Sequence, residues 1–285
     1  MEQQNLLLDI QSAYNQFTKV EKKVADFVLK HPEQVIFMSI TDLSEACKVA
    51  DASVHRFCRT MRLKGYQEFK MKISISLHMK QNNEEKSKRE GSGGTSVMES
   101  AERIMDSSIL ALKETNALLS EEQLEKTLSL MQRASNIYFF GIGDSLLTAQ
   151  EATNRFMRIS RKVHCITDPH MQAMSAAMAD VTDLIVIISY SGATKDNIHV
   201  AQLAKEAGAG IVAITRFIKS PLTAYADAVL LSGSDEDPLD GGSMSTKLGQ
   251  LFLVDILFRE YYKRNETESV HNNRISSGAV TDKLV

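Results

Sequence analysis

Cysteine is scarce in this 285-residue chain: Cys47, Cys58 and Cys165 are the only three, and they stand far apart. That count and spacing exclude a disulfide framework and a cysteine-built zinc site, and they fit a reducing compartment. Long apolar runs are missing as well. No stretch approaches the roughly 18 residues of a membrane span, and the first residues lack the basic start, apolar run and cleavage site of a secretory signal. A soluble cytoplasmic protein is expected, with no membrane partner. No Gly-Lys-Ser/Thr phosphate loop occurs, which argues against a nucleotide triphosphatase. Nor is one sign of charge in excess over the whole chain, whose net charge is -3.

What is present is unevenly distributed. Residues 51–80 carry seven Lys/Arg against two Asp/Glu, a local basic patch on an otherwise acidic protein. The length favours two domains over one core. In the first segment Thr18-Lys19-Val20-Glu21 has the spacing of a capping box, and Val20, Val24, Phe27 and Val28 follow at helical spacing. His31-Pro32 ends that helix. Ser39 caps a short helix through Leu43 and Ala46, and a second runs from about Ala52 to Met61 with Val54, Phe57, Cys58 and Met61 inward. Its other face carries Ser53, His55, Arg56 and Arg59, with Arg62 just beyond. A helix, a turn and a basic helix suit a major groove. Lys64-Gly65-Tyr66 breaks the chain before a closing helix marked by Phe69, Ile73 and Leu77, and Lys64, Lys70 and Lys72 add charge nearby.

Residues 81–96 contain no apolar side chain and three glycines, the composition of a flexible linker after a domain at 1–80. Two helices are then expected, from about Val97 to Leu119 and from Ser120 to Gln132. Beyond them the period changes. Short apolar runs at 137–140, 163–166, 184–188, 211–214 and 228–231 alternate with helix-length segments, the pattern of a five-stranded parallel sheet buried between helices. A helix over about Ser243 to Tyr262 completes a domain at 97–263. The polar tail from Arg264, 264–285, is expected to be mobile.

In an open parallel sheet, ligands sit beyond the carboxyl ends of strands where strand order reverses. Two loops have the composition for that place. Gly141-Ile142-Gly143-Asp144-Ser145 follows the first strand, and Ser189-Tyr190-Ser191-Gly192-Ala193-Thr194 follows the third. In a flavodoxin-like order, 2-1-3-4-5, they converge. The hydroxyls and amides of the second loop can donate to phosphate oxygens at a helix start, and Gly192 lets the backbone come close. The first loop begins like a dinucleotide fingerprint but has Leu146 where the third glycine belongs, so no nicotinamide cofactor is expected.

Phe57-Cys58-Arg59 with Leu63-Lys64-Gly65-Tyr66-Gln67-Glu68-Phe69-Lys70 resembles the helix-turn-helix domain of the RpiR family of bacterial transcriptional regulators. Asn136 to Leu231, with its Gly-Ile-Gly-Asp-Ser and Asp183-to-Thr194 segments, resembles a sugar isomerase (SIS) domain. The resemblance implies a homodimer or homotetramer that binds a phosphosugar effector and a double-stranded inverted-repeat operator, with no cofactor, no metal and no catalysis. Carried over by position, Gly143, Ser145, Ser189, Ser191, Gly192 and Thr194 would hold the effector, and His170 would reach the sugar or cap its helix. Ser53, His55, Arg56, Arg59, Lys64 and Lys70 would meet DNA. The rival is a phosphosugar isomerase or lyase with an N-terminal interaction domain. It needs a general base, for which Glu151, His170 or the loop Asp235-Glu236-Asp237 would have to serve. His164, inside a strand, is expected to be packed or exposed, not functional.

Overall fold

The computed structural model describes residues 5–86, 96–233 and 243–281. The described residues divide into two compact units, one of 5–105 with Ser243 and the other of 106–233 and 244–281.

The first unit is helical. α1 (Leu6–Ala13) and a short 3-10 turn lead to α2 (Lys19–Lys30), α3 (Pro32–Val35), α4 (Ile40–Cys47), α5 (Asp51–Thr60) and α6 (Tyr66–Lys86). Both expected start signals operate. Thr18 and Glu21 form a reciprocal capping box on α2, and Ser39 and Asp42 form one on α4. The turn between α4 and α5 is made by Lys48 in the left-handed region, φ 54°. It brings Asp51, the first residue of α5, to accept from Thr41 Oγ1 at 3.1 Å and from Ser44 Oγ. Phe57 is the centre of the core, edge-on to Phe17 at 5.2 Å and to Phe69 at 5.8 Å between ring centroids. Truncating such a ring costs about 3–5 kcal/mol.

α6 continues to Lys86, past the expected domain end. Gln81 to Lys86 are polar, but Gln, Glu and Lys favour helix, so a lack of apolar residues did not mean a lack of helix. Residues 87–95 of the expected linker lie outside the described residues.

α7 (Val97–Ala117) and α8 (Glu121–Arg133) precede the sheet. Its strands are β1 (Asn136–Gly141), β2 (Val163–Cys165), β3 (Asp183–Ile188), β4 (Gly210–Thr215) and β5 (Ala228–Leu231). The order is β2-β1-β3-β4-β5 and every pairing is parallel. Alternation within each apolar run feeds two cores. Ile137, Phe139, Leu184, Val186, Ile188, Val212 and Ile214 belong to one cluster, with residues of α8, α9 (Asp144–Phe156) and α12 (Met244–Arg264). Phe140, Ile185, Ile187, Ile211 and Ala213 belong to the other, with α10 (Pro169–Ala177) and α11 (Lys195–Ala207). Burial on both faces is why these strands read as continuous apolar runs.

The described residues after Arg264, up to Thr281, do not form the mobile tail expected from their polarity. They form α13 (Glu266–Thr281), anchored by Asn272 Nδ2 donating to Ile159 O at 3.0 Å and Ser276 Oγ donating to Arg158 O at 2.9 Å. Hydrogen bonds to the end of the α9 segment do the work of an apolar stripe, so hydropathy gave no sign of it.

Candidate functional site

On α5, His55, Arg56 and Arg59 are exposed, while Val54, Phe57 and Cys58 are fully buried. The helix thus presents the basic face that its sequence predicts. Two residues expected to meet DNA differ. Ser53 is only 7% exposed and its Oγ accepts from Arg56 Nη2 at 3.1 Å, so it positions the arginine. Lys70 is 4% exposed, with its ammonium 5.5 Å from the centre of the Tyr66 ring. Its place on α6, one position after the core residue Phe69, turns it inward, and it is corrected from a DNA contact to a packing residue. Lys64 is exposed, and its backbone N–H donates to Glu68 Oε2 at 2.6 Å. Burial pushes the Cys47 and Cys58 thiols up to about 11 and about 12, which makes them inert neutral side chains.

In the second unit, the β1–β3 register sets Gly141 opposite Ile188. Both strands end at one level, so the loops that follow start side by side. At Gly141 a Cβ would stand 2.7 Å from Ser145 O, so only glycine allows the chain to fold back into α9. Gly143 has φ +61° and nothing of the chain within 4 Å of its missing Cβ, so backbone conformation alone demands glycine there. Ser145 lies half-buried in the first turn of α9. In the other loop Ser189 is 2% exposed and its N–H donates to Ile214 O at 2.9 Å. Gly192 has φ +59°, and a Cβ there would come within 2.1 Å of Ser220 Oγ. Ser191 Oγ accepts from Ala193 N–H at 3.2 Å, which leaves its proton to donate elsewhere.

The helices at this crevice share a further property. Gly143 stands at the N-cap position of α9 and Thr194 at that of α11, and neither helix has a side-chain cap. By contrast, Thr18, Ser39, Ser120 and Asp168 cap α2, α4, α8 and α10. First-turn amides without a capping side chain, two helix dipoles and nearby hydroxyls form a cradle suited to an anion.

His170 is exposed in the first turn of α10. The cap of that helix is Asp168, whose Oδ1 accepts from Met171 N–H at 2.9 Å, so a capping role does not fall to the histidine. Gln172, two residues on, donates from Nε2 to Gly141 O at 3.1 Å and to Ile166 O at 2.7 Å, which ties α10 to the end of β1. His164 lies within 3.3 Å of Asn136, the first residue of β1, at the sheet end away from the cradle. Glu151 is exposed on α9, and Asp235-Glu236-Asp237 lies outside the described residues.

Sequence reasoning missed Lys247. Its ammonium, in the first turn of α12, pairs with Asp144 of the first loop at 2.8 Å. A cation at a helix N-terminus opposes the dipole, and that misfit is the signal that could have found it. The buried Thr148–Gln250 bond, 2.9 Å, holds α9 and α12 together one turn further on.

A helix-turn-helix with an exposed basic second helix, carried on one chain with a parallel sheet bearing an anion cradle, defines a two-domain transcriptional regulator. Residues 4–80 match the helix-turn-helix domain of the rpiR family and residues 130–259 match the SIS domain. The chain is 36% identical over 260 residues to an uncharacterized HTH-type transcriptional regulator of Haemophilus influenzae, spanning 89% of this chain and 88% of the relative. It is 33% identical over 253 residues to the HTH-type transcriptional regulator HexR of Pseudomonas aeruginosa, spanning 89% and 87%. The solved structure of Vibrio vulnificus NanR complexed with ManNAc-6P is similar with a TM-score of 0.86 and 29% identity, over 99% of this chain and all of that one. The sugar isomerase domain of an RpiR transcription factor from Sphaerobacter thermophilus, at 22% identity and a TM-score of 0.57 over 61% of this chain and 96% of its own, shares the fold. The chain belongs to the rpiR family of HTH-type transcriptional regulators.

Proposed function

We propose that this regulator binds operator DNA through α5 and that a phosphosugar held between the Gly141–Ser145 and Ser189–Thr194 loops sets its operator affinity. The observation that carries the reading is the register of Gly141 with Ile188, which starts two helices without side-chain caps next to one another. The phosphate sits on the first-turn amides of α9 and α11 with the hydroxyls of Ser145, Ser189, Ser191 and Thr194. Gly143 and Gly192 shape the two turns, and His170 serves the sugar. Lys247 is released from Asp144 to the anion. The ManNAc-6P bound by NanR makes amino-sugar phosphates the first class to try.

The functional boundaries are residues 1–80 for DNA, 81–96 for the connection and 97–263 for the effector. The protein works in the cytoplasm as a binder, not an enzyme. It acts as a homodimer on an inverted repeat, with half-sites one DNA turn apart, roughly 34 Å. Met171, Met174 and Met178 on and just after α10 support the dimer: they are 50%, 62% and 85% exposed at helical spacing, apolar side chains that a second subunit would cover.

Selection of DNA fragments by the purified full-length protein tests the first half, and enrichment of an inverted repeat is expected. The pair Ser189→Ala with Thr194→Ala tests the second. It should abolish the response to phosphosugars while operator binding survives. A double variant that responds like wild type, or a turnover of phosphosugar by the wild-type protein, would overturn the reading.

A further inference from the structure

Glu21 stands in the first turn of α2, yet its side chain serves two helices. Oε2 accepts from the Thr18 backbone N–H at 2.9 Å and from the Thr18 hydroxyl at 2.8 Å, which completes the capping box. Oε1 accepts from the hydroxyl of Thr60, 39 residues away, at 2.6 Å. Thr60 is the last residue of α5. One turn before it, at i−4 on the same side of the helix, is Arg56, whose Nη2 donates to Ser53 Oγ at 3.1 Å. The bond from Thr60 is the largest cause holding the Glu21 carboxyl below its ordinary range, and the Arg56 charge adds to it. Capping α2 needs only the first oxygen; the second is spent on the DNA-facing helix.

A carboxylate beside that helix has a cost for binding. DNA is a polyanion, so Glu21 repels phosphate at every sequence alike and weakens non-specific affinity. What it supplies is order. Reading a guanine edge through two nitrogens requires one guanidinium orientation, and an arginine without partners turns to whichever phosphate is near. We infer that Glu21 is a specificity-determining residue of the DNA site: by holding the end of α5 through Thr60 and flanking Arg56, it exchanges general affinity for base discrimination. The inference rests on the reading of α5 as the DNA-facing helix.

The test uses full-length protein, a duplex selected by the wild type from a random pool, and an unrelated duplex of the same length at one salt concentration. Glu21→Gln keeps the capping box, which accepts Gln, and removes the charge. It should bind the unrelated duplex at least as tightly as wild type while the ratio of selected to unrelated affinity falls roughly tenfold, the order for loosening one bidentate base contact. Thr60→Val breaks the bridge and keeps the charge. It should lower the ratio without tightening unrelated binding, and it stands in should Glu21→Gln fail to fold. A merely structural role would weaken both duplexes together. A ratio within twofold of wild type in either folded variant overturns the inference. Failure of the wild type to select any sequence overturns the DNA reading itself, and the inference with it.

Discussion

Gly192→Ala should damage the effector cradle more than its single methyl suggests. The residue sits at φ +59°, a conformation that costs an L side chain about 1–3 kcal/mol. The added Cβ would also lie 2.1 Å from Ser220 Oγ and 2.6 Å from Ser220 Cβ. Ser220 is buried and fixed by its bonds with Thr223, so it yields poorly. Overpacking of that kind adds about 1–3 kcal/mol, for a total of roughly 2–6 kcal/mol. The loop divides this between unfolding and displacement. Urea unfolding followed by circular dichroism reads the first part, and calorimetric titration with N-acetylmannosamine 6-phosphate as the trial ligand reads the second. Adding Ser220→Gly removes the clash but not the backbone penalty, so the double variant should recover about 1–3 kcal/mol of the loss as a non-additive term. Gly192→Ala within 0.5 kcal/mol of wild type in stability, roughly the range of an innocuous surface change, with unchanged ligand affinity, would refute the reasoning.

Lys247→Met should weaken binding of a phosphorylated sugar and leave the affinity for its unphosphorylated counterpart unchanged; equal losses for both would mean that Lys247 does not meet the phosphate. Because Lys70 is buried, Lys70→Met should leave the salt dependence of operator binding unaltered, whereas Arg59→Ala should lower the slope of log K against log salt by about 0.9, the amount for one phosphate no longer neutralised. The Glu21 carboxyl is held below its ordinary value of 4.5, so its ionised form supports the fold. That support is complete above pH 4.5 and is lost as pH falls through the lowered folded value. Acid unfolding of wild type should therefore be steeper below pH 4.5 than that of Glu21→Gln, and superimposable curves would show that the carboxylate adds nothing.

The parts of the fold legible in the sequence were those in which local and global demands agree. The Thr18–Glu21 box, the stop at His31-Pro32 and the five doubly buried runs each carry their cause in adjacent residues. The meeting of the two loops was legible as well, since parallel strands with the order 2-1-3-4-5 leave few places for a glycine-rich and a hydroxyl-rich loop to go. What escaped depends on contacts between residues distant in sequence. Lys70 is the exception: it stands at helical spacing with Tyr66, Phe69 and Ile73 in the buried stripe of α6, and its charge was weighed above that place. α13 was hidden because its anchors, Asn272 and Ser276, bind backbone carbonyls of the segment after α9. Lys247 and the second bond of Glu21 were missed because their partners are 103 and 39 residues away.

The distribution of helix caps fits the proposed function as well as the fold. α2, α4, α8 and α10 close their first turns with Thr18, Ser39, Ser120 and Asp168, each worth about 1 kcal/mol. α5, α9 and α11 have Ala50, Gly143 and Thr194 at their N-cap positions and no such bond. α1 and α7 are capped too, by Asn5 and Ser96, whereas the four-residue α3, which opens with Pro32, is not; stability alone gives no reason to forgo a cap on the longer α5, α9 and α11. A ligand gives one, because an anion that satisfies the free amides must compete with whatever already occupies them. In the proposed reading α5 faces a phosphate backbone, and α9 and α11 face a phosphate monoester. A cap on either would lower affinity by about what it added to the fold. Leaving these first turns without a side-chain cap makes the free protein less stable and leaves their remaining amides to water until DNA or effector displaces it, which is the differential interaction that a ligand-controlled equilibrium requires.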